Sequence, residues 1–417
     1  MLNHTMTLSE HYQLARDMLE TGKEVPLPFM KGFPAEPELR VTWSNWMYPP
    51  FNRWGFRHLA RLRPSISVSA GSAGADVLES SPLPLDSLHF TSTCGDDVTV
   101  LEHLLASHTD AFLVMQQGRI VYERYFQGQQ ANDRHIMFSV TKSLIGLLAE
   151  QLISEGKLDD RALTLDYIPE LAGSAFADAS IRQLLDMAVG IAYSEVYDDP
   201  ASESSQYGYA CGFQPTPSGY EQYRSLYEYL PSLRKNGEHG GFFHYVTATT
   251  EVLAWVMERA CGEPCAHLLE AIWSEIGCQR DGYFLADPWG RNVAGAGFSA
   301  TLRDMARLGR LIACQGSYQG KTLISAETIR RIAKGADPAI YAANTEFYSW
   351  TPGASYTSQW YVFAESQQLM AGGIHGQYLF IDLQKDIVVV KQSALPTAVG
   401  YMDSDSVTMI RAIMNSL

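Results

Sequence analysis

Strand-forming runs stand towards both ends of this chain, and the long interval between them is helical. Phe112-Leu113-Val114-Met115, then Gln116-Gln117-Gly118, then Ile120-Val121-Tyr122 reads as a β-hairpin, with β-rich residues on either side of a turn. Trp360-Tyr361-Val362-Phe363, Gln377-Tyr378-Leu379-Phe380-Ile381 and Ile387-Val388-Val389-Val390 are further β-rich runs broken by turn residues. Helical signals dominate between them, at 142–154, 181–188, 222–230, 248–260, 265–276 and 301–313, the last opening at Thr301 with Asp304 three residues on. A helix at 7–21 opens the chain and one at 405–416 closes it. The order predicts one sheet built from both termini with a mainly helical lobe, roughly 156–285, inserted between sheet-forming segments. This is an α+β fold rather than a βαβ alternation. Residues 65–87 are rich in Ser, Ala, Gly and Pro and read as a loop. The expected division is therefore 1–90 as extension and linker and 91–417 as the main domain.

The chain has 417 residues, 46% of them hydrophobic, which is ample for a core, and a formal net charge of −15. That charge argues against nucleic acid or an anionic membrane as a main partner. Glu10, Asp17, Glu20 and Glu24 interrupt the first thirty residues, so no signal peptide is read, and no apolar run approaches the ~20 residues of a membrane helix. The six cysteines are scattered, as expected of free thiols in a reducing cytoplasm. Cys261, Cys265 and His267 sit around a helix-to-helix turn rather than at zinc-ligand spacing. Gly316 to Thr322 is one residue short of a P-loop and does not open a helix; there is no G-x-S-x-G and no H-E-x-x-H. No metal and no cofactor are expected.

A serine and a lysine three apart at a helix start fall on one face, about a turn from each other. Phe138-Ser139-Val140-Thr141-Lys142-Ser143, followed by Leu144-Ile145-Gly146-Leu147-Leu148, has this spacing. The amine can then reach the hydroxyl, as an activated nucleophile needs. Helix-terminal N–H groups can hold an oxyanion, and the dipole and burial lower the lysine pKa from its reference of ~10.4. Ser139 is read as nucleophile and Lys142 as its base. The spacing recurs at Ser154-Glu155-Gly156-Lys157 and Ser232-Leu233-Arg234-Lys235. There, however, Ser154 lies at a helix end, and Ser232 follows Pro231 in a polar stretch. Two later places bear on Ser139. Tyr245, just before the 248–260 helix, can act as a second acid/base group or simply pack there. In Ala371-Gly372-Gly373-Ile374-His375-Gly376-Gln377 the glycines either form a strand-start turn or bring a free N–H to an oxyanion.

Taken in this order, the motifs resemble the penicillin-recognising serine hydrolases. More narrowly they resemble the 6-aminohexanoate-dimer hydrolase group, which shares its fold with class C β-lactamases and family VIII carboxylesterases. The resemblance covers roughly residues 45–417. It also rests on Pro49-Pro50-Phe51-Asn52-Arg53-Trp54, Asp133-Arg134-His135, Leu184-Leu185-Asp186-Met187, Asp199-Pro200-Ala201-Ser202 and Arg303-Asp304-Met305-Ala306-Arg307. It implies a β-lactamase/transpeptidase-like fold, with Ser139, Lys142 and Tyr245 catalytic and an oxyanion hole from the backbone N–H groups of Ser139 and Ile374. It further implies that Tyr197, Gly208, Gly373 and His375 border the substrate. The stretch 192–243 would lie over the site, with Tyr207, Tyr209 and Tyr220 available for stacking. Three departures matter. Tyr-x-Asn reads Tyr245-Val246-Thr247, and the Lys-Thr-Gly box reads Ala371-Gly372-Gly373, without the cation that binds a β-lactam carboxylate. Members that work well on the linear amide can carry an acidic residue near 208, where this chain has Gly208. The resemblance thus implies hydrolysis of small carboxylic esters first and linear amides second. The alternatives are a β-lactamase, a D-alanyl peptidase, an acyltransferase or a non-catalytic binding protein. The expected partner is a small ester or amide substrate, with no nucleic acid and no membrane; self-association as a homodimer is left open.

Overall fold

The computed structural model describes residues 6–22, 28–72, 74–197, 199–400 and 402–417. Its centre is a seven-stranded sheet. Across the sheet the strands run Ser355–Thr357, Trp360–Phe363, Gln368–Gly373, Gln377–Asp382, Ile387–Ser393, Thr109–Gln116 and Arg119–Tyr125. Every neighbouring pair is antiparallel, and the hairpin from the first third docks on the last strand with Val114 opposite Val389. One sheet from both ends of the chain, as the strand order predicts, is what forms.

Both faces of that sheet are apolar, so it needs a layer on each side. Side chains alternate along a strand. Leu113, Met115, Val388 and Val390 face the core shared with the Val140–Ser154 and Leu302–Ala313 helices. Phe112, Val114, Ile387 and Val389 face a second core under the Leu8–Thr21, Val100–Ala106 and Met402–Ser416 helices. Among the described residues no helix is long and apolar enough to cross a membrane.

The boundary expected at residue 90 is corrected by the structure. Ser65–Val68 pairs with Gly282–Leu285 in a second, four-stranded sheet completed by Phe298–Ala300 and His135–Ile136. The aromatic stretch contributes Trp46 and Phe56 to the main core, and Tyr12 of the first helix hydrogen-bonds Asp405 (2.6 Å) and His103 (2.9 Å). Residues 65–68 read as loop because the Ser-Ile-Ser-Val alternation is only four residues long and lies inside a Ser-, Ala-, Gly- and Pro-rich stretch. The helix-to-helix turn does form: Cys261 ends one helix, Gly262 follows with φ 75°, and Cys265 starts the next. The P-loop-like segment is a two-stranded surface hairpin turning at Gly320.

Candidate active site

Ser139 stands at the start of the Val140–Ser154 helix, immediately after Phe138, whose φ of 43° is left-handed. Such a backbone costs about 1–3 kcal/mol and persists only where packing over-determines it. The packing is aromatic: the Phe138 ring stacks on Trp46 at 6.3 Å, meets Phe56 edge-on at 5.0 Å and lies 5.4 Å from His375. The Ser139 side chain makes no capping bond to its own helix. Its Oγ instead accepts from Lys142 Nζ at 2.9 Å, and the same amine donates to the Gly295 carbonyl at 2.8 Å. Lys142 is buried, and desolvation pulls its pKa down to about 8 against the opposing pull of Glu195 and Glu251. The other two copies of the spacing are accounted for otherwise. Lys157 pairs with Glu155 at 2.7 Å, and Lys235 pairs with Asp178.

Tyr245 sits two residues before the Thr247–Cys261 helix, and Ser139 is among the groups that act on its phenol. Its ring lies 5.1 Å from Lys142 Nζ and stacks on Phe347 at 5.2 Å. Burial pushes the phenol well above its ordinary pKa, so it stays protonated at neutral pH and holds a proton it can pass on. Glu195 Oε1 accepts the Thr247 N–H at 2.5 Å and so caps this helix beside Tyr245.

The glycine-rich segment ends one strand and turns into the expected next one, Gln377–Asp382. Gln368–Gly373 finishes at Gly373, and the turn is Ile374-His375-Gly376, with positive φ at His375 (61°) and Gly376 (85°). Gly373 passes so close to the serine helix that a Cβ there would lie 2.5 Å from Met137 O and 3.1 Å from Ser139 N. The Ser139 and Ile374 N–H groups are not among the backbone donors paired within the described residues. Gln377 fastens the turn: its amide donates to His375 O (3.1 Å) and Ser393 O (2.7 Å), and its Oε1 accepts from Ser393 N at 3.2 Å. His375, expected to border substrate, is corrected. Its ring is buried among Phe56 and Phe138, and its Nδ1 donates to Leu395 O at 2.7 Å. It supports the turn and does not face the cleft.

The cleft before Ser139 holds about 610 Å³ of empty volume, open solvent included, and is lined in part by Ile374, Tyr197, Tyr207, Gly208 and Gln214. Tyr197 is 40% exposed at its rim. Gly208 lies on the Glu203–Ala210 helix, where an added Cβ would meet Gln214 Nε2 at 3.3 Å. Of the 192–243 stretch, residues between Glu195 and Gln214 line the cleft. Tyr209 and Tyr220, however, pair with each other at 5.9 Å and are not cleft residues. Glu195, Gln214 and Gln377 were not legible as site residues, because no local spacing links them to Ser139.

The antiparallel sheet, the helical lobe and a nucleophile-like serine at a helix start define a serine hydrolase of the β-lactamase type. The beta-lactamase family profile matches residues 99–406, and the chain belongs to that family. Within it, the chain is 34% identical over 357 residues to the 6-aminohexanoate-dimer hydrolase of Paenarthrobacter ureafaciens, covering 85% of this chain and 88% of the relative. A solved Bacillus anthracis protein, provisionally assigned as a 6-aminohexanoate-dimer hydrolase, superposes with a TM-score of 0.83 at 29% identity, over 92% of this chain and 98% of its own. A family VIII carboxylesterase shares the fold, with a TM-score of 0.52 at 18% identity over 74% of this chain and 92% of its own.

Proposed function

We propose that this protein hydrolyses small carboxylic esters, and linear amides second, through an acyl-enzyme on Ser139. Lys142 takes the Ser139 proton as Oγ attacks the carbonyl, and Tyr245 passes a proton to the leaving group. The tetrahedral oxyanion is held by the N–H groups of Ser139 and Ile374, and water then releases the acyl group by the reverse sequence. The observation that carries this reading is the 2.9 Å contact between Lys142 Nζ and Ser139 Oγ at the floor of a cleft. A buried amine with a pKa near 8 is partly neutral at physiological pH and can accept a proton. Among the described residues the cleft lining carries no arginine and no lysine, which disfavours a substrate that must be held by a carboxylate.

The test is a panel of short-chain p-nitrophenyl esters, 6-aminohexanoate dimer and a chromogenic cephalosporin, each run against Ser139→Ala. Ester turnover is expected to be fastest and to vanish in the variant, while a fluorophosphonate probe labels only the parent. Cephalosporin hydrolysis matching the ester rate would move the assignment to a β-lactamase. Unlabelled Ser139 with no turnover would leave a binding protein.

A further inference from the structure

Glu251 belongs to the same helix that Tyr245 precedes, and its side chain is fully buried. One carboxylate oxygen accepts from Gly295 N at 2.7 Å and from the Tyr207 hydroxyl at 2.9 Å; the other accepts from Ala294 N at 3.2 Å and lies 3.8 Å from the Arg291 guanidinium. Arg291 also donates to the Glu251 carbonyl. Gly295 is the residue whose carbonyl holds Lys142 Nζ at 2.8 Å. The fit is tight: a Cβ at 295 would come 2.8 Å from Thr247 Cγ2 and 3.1 Å from both Glu251 Oε1 and Tyr207 Oη. A buried carboxylate with this many donors resists displacement, because moving it would leave each of those donors unpaired away from water.

We propose that Glu251 is a positioning residue for Lys142, clamping the 294–295 backbone so that the Gly295 carbonyl aims the amine at Ser139 Oγ. The proposal rests on the reading of Lys142 as the base. Tyr245 and the helix that follows it then supply both the acid/base partner and the clamp that orients the lysine. Glu251 acts on Lys142 through charge as well. The charged and titratable groups facing the amine are Glu195, Glu251 and Tyr245, and the two carboxylates favour its protonated form against burial. Those facing Glu251 itself are Arg291 and Tyr207. Neutralising Glu251 therefore makes Lys142 lose its proton at lower pH.

The experiment compares the full chain with Glu251→Gln and Glu251→Asp by kcat/KM against pH on p-nitrophenyl acetate, with circular dichroism and thermal melting to check folding. In Glu251→Gln the acid limb is expected to move down by about half a pH unit or more, with a plateau several-fold lower. Glu251→Asp keeps the charge but withdraws the carboxylate; its limb stays in place while its plateau falls. A limb unmoved in a folded Glu251→Gln overturns the proposal, as does a plateau unchanged in a folded Glu251→Asp should the Gln variant not fold. Lys142→Met is run alongside: if its residual activity keeps the same acid limb, the limb is not that of Lys142, and the reading of the base fails with the proposal.

Discussion

Two lysines among the described residues are buried against a serine, and only one of them faces a cleft. Lys142 Nζ donates to Ser139 Oγ at 2.9 Å, and Lys391 Nζ to Ser393 Oγ at 2.5 Å. Each stands near a tyrosine ring, Tyr245 at 5.1 Å and Tyr378 at 6.0 Å. Burial lowers both amines, to about 8 and about 7. By local chemistry the pairs are twins, yet Ser393 is 0% exposed on the strand face turned to the second core. Its backbone N–H is bonded to Gln377 and its tyrosine is bonded to Asp403. Ser139 is 8% exposed at the cleft floor, with its own N–H and that of Ile374 turned to no backbone partner among the described residues. On the proposed reading, a serine touching a depressed lysine is not enough for catalysis. Access and uncommitted N–H donors separate a site from a buried contact.

The largest effect expected from breaking this comparison is at the serines. Ser139→Ala should lower p-nitrophenyl ester turnover by about 10⁴-fold or more, whereas Ser393→Ala leaves it within about twofold. Comparable losses in both would erase the distinction. Next come the lysines. Wild-type kcat/KM should rise with pH through about 8, because the neutral amine is the competent base. Lys142→Met should lose about 10²–10⁴-fold and that limb with it, while Lys391→Met keeps the limb; a stopped-flow or plate-reader pH profile of the three proteins decides.

A smaller effect is expected at the turn that links the two serines. Gln377→Leu frees the Ile374-His375-Gly376 backbone, so kcat should fall about 10- to 100-fold, somewhat less than outright loss of an oxyanion donor, with KM little changed. A purely structural glutamine would lower only the melting temperature. The smallest signal is in stability. An unfolded lysine titrates near ~10.4, well above folded Lys391 at about 7. Between those values the unfolded chain binds the extra proton, so stability rises with pH across that window and has no such slope below it. Lys391→Met should flatten the rise in urea melts from about pH 7 to 10, and Lys142→Met should flatten it over a narrower span starting near pH 8. Identical slopes in wild type and Lys391→Met would mean that Lys391 stays protonated in the folded protein.

Much of the frame was readable from residue order. The Thr109–Gln116 and Arg119–Tyr125 hairpin, the valine-rich Ile387–Ser393 strand and the amphipathic Leu302–Ala313 helix all carry strong periodicity. The Glu203–Ala210 helix did not show, since ESSQYGYA has little apolar pattern; it depends on its Ser202 cap and on packing. The Gln368–Gly373 strand was also missed, because the glycines that end it weaken a strand pattern.

The sequence by itself determined that Ser139 and Lys142 share a helix face, since a three-residue spacing in a helix is a local fact. It also determined, through strands at both ends and helices between, which kind of sheet holds that helix. The sequence favoured this copy of the spacing by its helix start, and only the tertiary structure made it a buried pair on a cleft. That structure alone brought in Glu251 from 109 positions beyond Lys142, and Gln377 from near the end of the chain. Helical spacing is set by bonds along the chain, whereas desolvation and uncommitted N–H groups are set by what packs around them.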